Sequence, residues 1–285
     1  MEQPNELRVK SGEIELQVYE WPGAGRPILL AHATGFHARC WDEVVRQLPG
    51  RRVIALDFRG HGRSDKPEPP YSWPAFGDDV AAVVRALDLQ EVVGVGHSKG
   101  GFAVTHAAGV LPGAFSSLLL ADPVIFSREG YRVPRGEGVP HFSARRRNHW
   151  SSPEEMFERF KDRAPFNRWD RAILRDYCTY GLIAAPNGHG YVLACPPQIE
   201  AAVYAGNASG GRIYEAIDAT TVPVRVLRAG PREEGAMDMS GSSSPPDLAA
   251  QFSAGVDVAL PHLSHFIPME APEIVALHIS ELAGA

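Results

Sequence analysis

Six short apolar runs, at residues 28–31, 53–57, 91–96, 116–121, 224–229 and 256–260, are interleaved with helical patterns such as Val80, Val83, Val84 and Leu87. This rhythm constrains the fold more than any other feature of the chain. Short β-branched runs of this kind suit strands buried on both faces. Strands that alternate with helices make an α/β fold, a mostly parallel sheet covered by helices on each side. Residues 7–10 and 14–20 flank Ser11-Gly12 and read as a hairpin, which brings the expected total to about eight strands. There is no internal repeat, and residues 240–246 (SGSSSPP) read as the clearest flexible loop.

From Pro123 to Ala219 the rhythm stops and capped helical patterns take over. Ser152-Pro153-Glu154-Glu155 supplies an N-cap, a proline at the first helical position and a capping-box glutamate. Ile173, Leu174, Tyr177 and Cys178 share one helical face, and Gly181 ends it. The segment holds 13 of the 25 aromatic residues and carries +2 against −8 for the remainder. We therefore expect a helical cap over residues 123–219 and a core built from residues 1–122 and 220–285. Within the cap, Arg145-Arg146-Arg147 reads as a solvated charged face.

A chain of 285 residues has room for one α/β core with such an inserted lobe. Its net charge of −6 disfavours a general nucleic-acid binder, which needs a clustered basic surface. Cys40, Cys178 and Cys195 are few, odd in number and widely spaced, which suggests a reducing compartment without a disulfide framework. No apolar run reaches membrane-spanning length, and the first ten residues lack the apolar stretch of a signal peptide. The expectation is a cytoplasmic protein acting on a small molecule, with no nucleic-acid or membrane partner. Its oligomeric state is left open.

The run at 91–96 leads into GVGHSKGG, residues 94–101. A dinucleotide-binding loop needs Gly-x-Gly-x-x-Gly in the first strand–helix unit, but Lys99 occupies the third glycine position and the loop follows about the fifth strand. Gly96-His97-Ser98-Lys99-Gly100 fits the other reading, Gly-x-Ser-x-Gly. A sharp strand-to-helix turn raises a serine clear of the sheet, and glycines on either side remove the Cβ clashes of that turn. The helix that starts there aims its positive end at developing negative charge.

Four further stretches accompany the serine. Residues 29–36 (LLAHATGF) run from a strand into a small-residue turn, and residues 57–65 (DFRGHGRSD) follow the next strand. Asp122 ends the run at 116–121, 24 residues after Ser98, and residues 263–268 (LSHFIP) follow the last strand. Together these motifs make the chain resemble the α/β-hydrolase superfamily over nearly its whole length, on its serine esterase and lactonase side. The resemblance implies an eight-stranded, mostly parallel sheet with a lid after the sixth strand.

It also implies roles. Ser98 would be the nucleophile, His265 its base, and the backbone N–H groups of Thr34 and Lys99 the oxyanion hole. The orienting acid has two candidate places. Asp122, with Pro123 behind it, sits in a rigid setting after the sixth strand. Glu233, with Asp238 further on, follows the seventh. Asp122 is preferred and Glu233 is the alternative. His32-Ala33 and Lys99 depart from the usual pattern but leave the backbone donors in place, and the Lys99 side chain is expected to reach solvent. His32, Asp57, Arg59 and His61 read as loop-bracing residues, and His97 as a packing residue. Among the cap aromatics, Trp150, Trp169 and Phe126 are candidate substrate contacts. No cofactor is expected, and His262-x-x-His265 lacks a third ligand for a metal. The expected activity is hydrolysis of a carboxylic ester or lactone of modest apolar size through a Ser-His-Asp triad. The alternatives are a C–C bond hydrolase of β-diketone-like compounds and a non-catalytic small-molecule receptor.

Overall fold

A computed structural model of the chain describes residues 3–132, 141–232 and 239–284. The hairpin expected at the N-terminus is formed by β1 (Asn5–Ser11) and β2 (Ile14–Trp21), paired antiparallel. There follow β3 (Ala24–Ala31), α1 (Asp42–Arg46), β4 (Arg51–Leu56), α2 (Trp73–Ala86), β5 (Val92–His97), α3 (Lys99–Val110) and β6 (Phe115–Ala121). The inserted segment holds β7 (His149–Trp150), α4 (Pro153–Phe160), α5 (Arg171–Tyr180), β8 (Leu182–Ala184), β9 (Tyr191–Leu193), α6 (Pro197–Ala205) and α7 (Ile213–Ala219). The chain then returns to the sheet with β10 (Val224–Ala229) and β11 (Gly255–Leu260) and ends in α8 (Ile267–Glu270) and α9 (Pro272–Ala283).

The eight core strands lie in the order β1-β2-β4-β3-β5-β6-β10-β11, and every pairing from β4 to β11 is parallel. Side-chain alternation explains why both faces are apolar. Leu29, Ala31, Ile54, Leu56, Leu118 and Leu120 pack on one face with α2, α3 and α7. Ile28, Leu30, Val53, Val93, Val95 and Leu119 pack on the other with α1 and α9. Edge strand β11 departs from the buried pattern: Val256 is 57% exposed.

Parallel register brings the carboxyl ends of the central strands level. Ala31 pairs with Gly96, His97 with Ala121, and Ala121 with Leu227. The residues just beyond these ends therefore converge at the place where the strand order reverses around β3 and β5, the usual site for a ligand in an open α/β sheet.

The inserted segment departs from the all-helical expectation in two ways. First, β7, β9 and β8 form a separate three-stranded antiparallel sheet. Strands of two and three residues are too short to show an alternation in sequence. Second, Ile213 and Ile217 of α7 are buried in the core cluster with Phe102 and Ala107 of α3, so the last helix before residue 220 covers the sheet. The expected cap is present, Ser152 accepting from the Glu155 amide at 3.1 Å, and Asp170 adds a further one by accepting from the Ala172 amide at 2.7 Å.

Candidate active site

Ser98 occupies the turn between β5 and α3 with φ +56° and ψ −119°, a backbone region strained for a residue bearing a Cβ. The close packing explains the flanking glycines. A Cβ on Gly96 would lie 2.3 Å from the Gly100 carbonyl oxygen, and one on Gly100 would lie 2.1 Å from that of Ala31. The turn is anchored by the Ser98 amide, which donates to the Ala121 carbonyl at 3.1 Å, and by the Ser98 carbonyl, which accepts from Val124 at 3.1 Å.

Asp122 begins the connection after β6, and its carboxylate meets the His265 ring: Nδ1 donates to Oδ2 at 2.6 Å. Both side chains are buried. The same carboxylate accepts from the Ala229 amide at 3.1 Å, from the Ser243 amide at 2.8 Å and from the Ser242 hydroxyl. Burial alone would raise the Asp122 carboxyl. The donors His265, Ser242 and Ser243 outweigh it and hold the group below the usual carboxylate value. With Nδ1 committed to Asp122, Nε2 of His265 is left as the proton acceptor. Ser98 and His265 line one cavity of about 600 Å³, together with Thr34. No hydrogen bond joins the Ser98 hydroxyl to His265 among the described residues; such contacts in unliganded sites tighten once substrate is bound.

Residues 240–246 correct the flexible-loop reading. Ser242 and Ser243 donate to Asp122, Ser244 Oγ donates to the Pro123 carbonyl at 2.6 Å, and the Ser242 amide donates to Gly230 at 2.7 Å. Hydroxyls and amides without a secondary-structure partner are free to satisfy a buried carboxylate. That is why a serine-rich stretch can be pinned here. Glu233 and Asp238, the other acid candidates, lie outside the described residues.

Lys99 opens α3, so its backbone amide has no partner within the helix and remains available to an oxyanion. Its side chain corrects the expectation of solvent. Lys99 is fully buried, with Nζ 3.9 Å and 3.8 Å from the ring centres of Phe58 and Phe76, and Nζ has no hydrogen-bond partner among the described residues. Burial pushes the amine well below the ordinary lysine value. The elbow turns this position inward onto Phe76 of α2 and Phe58 of the loop after β4, a direction that spacing along the chain does not reveal.

The bracing residues are found at work in the loops. His32 donates from Nδ1 to the Ala33 carbonyl at 2.7 Å and accepts at Nε2 from the Phe58 amide at 3.1 Å. Asp57 accepts from the amides of Ala38 and Arg63 at 2.7 and 2.8 Å, and Arg59 is paired with Asp79 at 2.6 Å. His97 does more than pack: its Nε2 donates to the His265 carbonyl at 2.9 Å, which ties the base's loop to the elbow.

Trp150 and Trp169 line the cavity, as do Phe36, Phe160, Phe166 and Tyr177. Phe126 does not, which corrects that expectation. Its ring lies edge-on to Tyr131 at 5.3 Å and its carbonyl accepts from the Tyr214 hydroxyl at 2.9 Å, so the chain leaves the cavity within a few residues of Pro123. In the triple arginine Arg145 and Arg147 are exposed as expected, and only Arg146 corrects the reading of a solvated face. Arg146 is bound to Glu200 at 2.5 Å and to the Tyr177 hydroxyl at 2.8 Å, inside the cavity wall. The Arg146–Glu200–Tyr177 cluster was hidden because its members are far apart in sequence. Among the described residues no group of three side chains is arranged to hold a metal ion, and no helix is long and apolar enough to cross a membrane. All three cysteines are buried and unpaired.

Comparison with known proteins places these features in a family. The model of the alpha/beta hydrolase family matches residues 28–277. The lipase LipV of Mycobacterium tuberculosis is 30% identical over 229 residues, 77% of this chain and 80% of its own. A non-heme chloroperoxidase of Streptomyces lividans is 38% identical over 109 residues, 37% of this chain, and the match spans only 40% of the chloroperoxidase's length. Among solved structures, E-2-(acetamidomethylene)succinate hydrolase superposes with a TM-score of 0.75 at 23% identity, over 99% of this chain and 100% of its own. The sheet order, the elbow around Ser98 and the family match lead to one conclusion: the chain belongs to the alpha/beta hydrolase family.

Proposed function

We propose that the protein is a serine hydrolase that cleaves a carboxylic ester or lactone of modest apolar size through an acyl-enzyme. The observation that carries the reading is the Asp122–His265 hydrogen bond beside a cavity that His265 shares with the strained Ser98. A lipase among the relatives supports the ester class. His265 Nε2 takes the proton from Ser98 Oγ as that oxygen attacks the carbonyl carbon. The carbonyl oxygen gains the negative charge and accepts hydrogen bonds from the Thr34 and Lys99 amides, at the positive end of α3. Imidazolium, held by Asp122, returns the proton to the leaving alkoxide, and the C–O bond breaks. Water then repeats the sequence on the acyl-enzyme, giving the acid and free Ser98. The inserted segment, up to but not including α7, acts as a cap, excluding water with Trp150, Phe160, Phe166 and Trp169.

The test is active-site labelling with a fluorophosphonate, alongside turnover of a small aryl ester. One adduct is expected, on Ser98, and Ser98→Ala should lose it with turnover down at least ~10³-fold while the melting transition is retained. Labelling elsewhere, or an active Ser98→Ala, would overturn the reading.

A further inference from the structure

The charge around the cavity does not match the charge of the molecule. The chain carries −6, yet among the described residues five guanidinium groups and a single acidic side chain line this cavity. Three of the five are occupied. Arg146 is paired with Glu200 at 2.5 Å, Arg147 with Glu155 at 2.6 Å, and Arg168 with Glu270 at 2.9 Å. Arg159 and Arg163 have no ion pair and no side-chain hydrogen bond among the described residues. Both are exposed and they bracket Phe160, whose ring stacks on Phe166 at 4.4 Å in the same wall. Arg159 stands in the last turn of α4, where a cation offsets the helix dipole. That role needs no place on the cavity, and Arg163 lies beyond the helix altogether.

Unpaired cations beside an apolar wall concentrate potential where a charged ligand would enter, and they do so against the repulsion of an acidic molecule. Guanidinium presents paired donors that match a carboxylate two-to-two. From this arrangement we propose that Arg159 and Arg163 bind a free carboxylate of the substrate, remote from the scissile carbonyl. The substrate class is then a carboxylate-bearing ester or lactone, such as a half-ester of a dicarboxylic acid, rather than a wholly neutral one. This inference rests on the serine-hydrolase reading above and narrows it.

The experiment compares kcat/KM for two aryl esters of matched length, the hexanoate and the monoester of hexanedioic acid. The carboxylate ester is expected to be preferred about tenfold or more, the equivalent of one charge-assisted hydrogen bond. The preference should shrink at high ionic strength. In the Arg159→Gln/Arg163→Gln double variant it should fall about tenfold, and Arg159→Lys/Arg163→Lys should restore part of it, because the charge returns without the paired donors. Binding of hexanedioate to Ser98→Ala, followed by calorimetry, gives a readout that requires no turnover, and the Gln double variant in that background should weaken it about tenfold. If both esters are cleaved with a ratio near one, or if the ratio ignores the Gln variants, the carboxylate subsite is wrong and the hydrolase reading survives. If neither ester is cleaved while hexanedioate still binds through these arginines, the hydrolase reading fails and the anion site stands. If neither ester is cleaved and hexanedioate does not bind, both fail.

Discussion

At the scale of single residues the site rests on side chains whose polar atoms have been placed against their ordinary preference. Lys99 is the sharpest case. A protonated amine between Phe58 and Phe76 would gain about 2 kcal/mol from the two rings. Removing an ammonium from water costs several kcal/mol, no hydrogen bond compensates among the described residues, and the charge of Asp79 offsets only part of the cost. Desolvation therefore wins, and the folded protein disfavours the charged form of the amine. The unfolded chain binds a proton at this residue at neutral pH, so the lysine subtracts from stability at pH 7 and less so as the pH rises toward 10.5, the ordinary lysine value. Lys99→Met, similar in length and apolar, should raise stability by on the order of 1–3 kcal/mol at pH 7, with a smaller gain at pH 10. Denaturant melts at the two pH values check it, and a loss of stability at both would mean that the amine has a partner. The backbone amide offered to the oxyanion is untouched by the change. Ser98, His265 and Asp122 were legible because a nucleophile elbow, a late histidine and a carboxylate ending a buried strand each leave a local mark in the sequence. The inward turn of Lys99 and the Arg146–Glu200–Tyr177 cluster were not, because direction and long-range pairing are set by tertiary packing.

At the scale of elements the loop at residues 240–246 shows how irregular backbone completes a site. Ser242 donates to Asp122 Oδ1, so the loop stabilises the ionised form of the acid. The loss of that donor raises the proton affinity of the Asp122 carboxylate, which Ser242 helps to hold low. Ser242→Ala should therefore move the acid limb of the kcat/KM profile to higher pH by about one unit, the equivalent of a hydrogen bond to a charged group. A folded variant whose acid limb stays where it was would show that the loop does not bear on the acid in solution. The core strands were legible because β3, β4, β5 and β6 are continuous apolar runs, a pattern imposed by burial on both faces. The small sheet of β7, β8 and β9 was not, since its strands total only a few residues and draw their register from neighbours rather than from their own spacing. Composition identified residues 240–246 as irregular but gave no sign of where their hydrogen bonds go.

At the scale of the whole molecule the braced loops carry a shared cost in protons. His32, His37, His61 and His97 are all buried. Burial, the largest cause for each, lowers His37 and His97 to about 3 and pushes His32 and His61 well below the ordinary value of 6.5. Their neutral rings are built into the structure: His32 bonds both Ala33 and Phe58, His61 bonds the Arg59 carbonyl, and His97 bonds the His265 carbonyl. Because the folded values are depressed, the stability these groups contribute is fully present above 6.5. Below that the unfolded chain takes up protons that the folded one refuses, and the loss continues down toward the folded values near 3. Each such histidine steepens the fall by up to about 1.4 kcal/mol per pH unit. Several acting together would exhaust a typical stability of about 5–15 kcal/mol within a few units below 6.5. Asp122, whose carboxyl is also depressed, adds its own loss only lower, as the pH falls through the ordinary carboxylate range. Denaturant unfolding followed from pH 8 to pH 4 should therefore show a plateau above about 7 and a steep decline beginning near 6.5, offset in part by Asp176, whose carboxyl burial raises to about 6. His97→Gln keeps a side-chain donor for the His265 carbonyl and removes one titrating group, so it should make the decline shallower by about one proton's worth of slope. A stability curve that stays flat to pH 5, or a decline equally steep in that variant, would mean that the buried rings accept protons in the folded state and that the loops beneath the active site open to let them in.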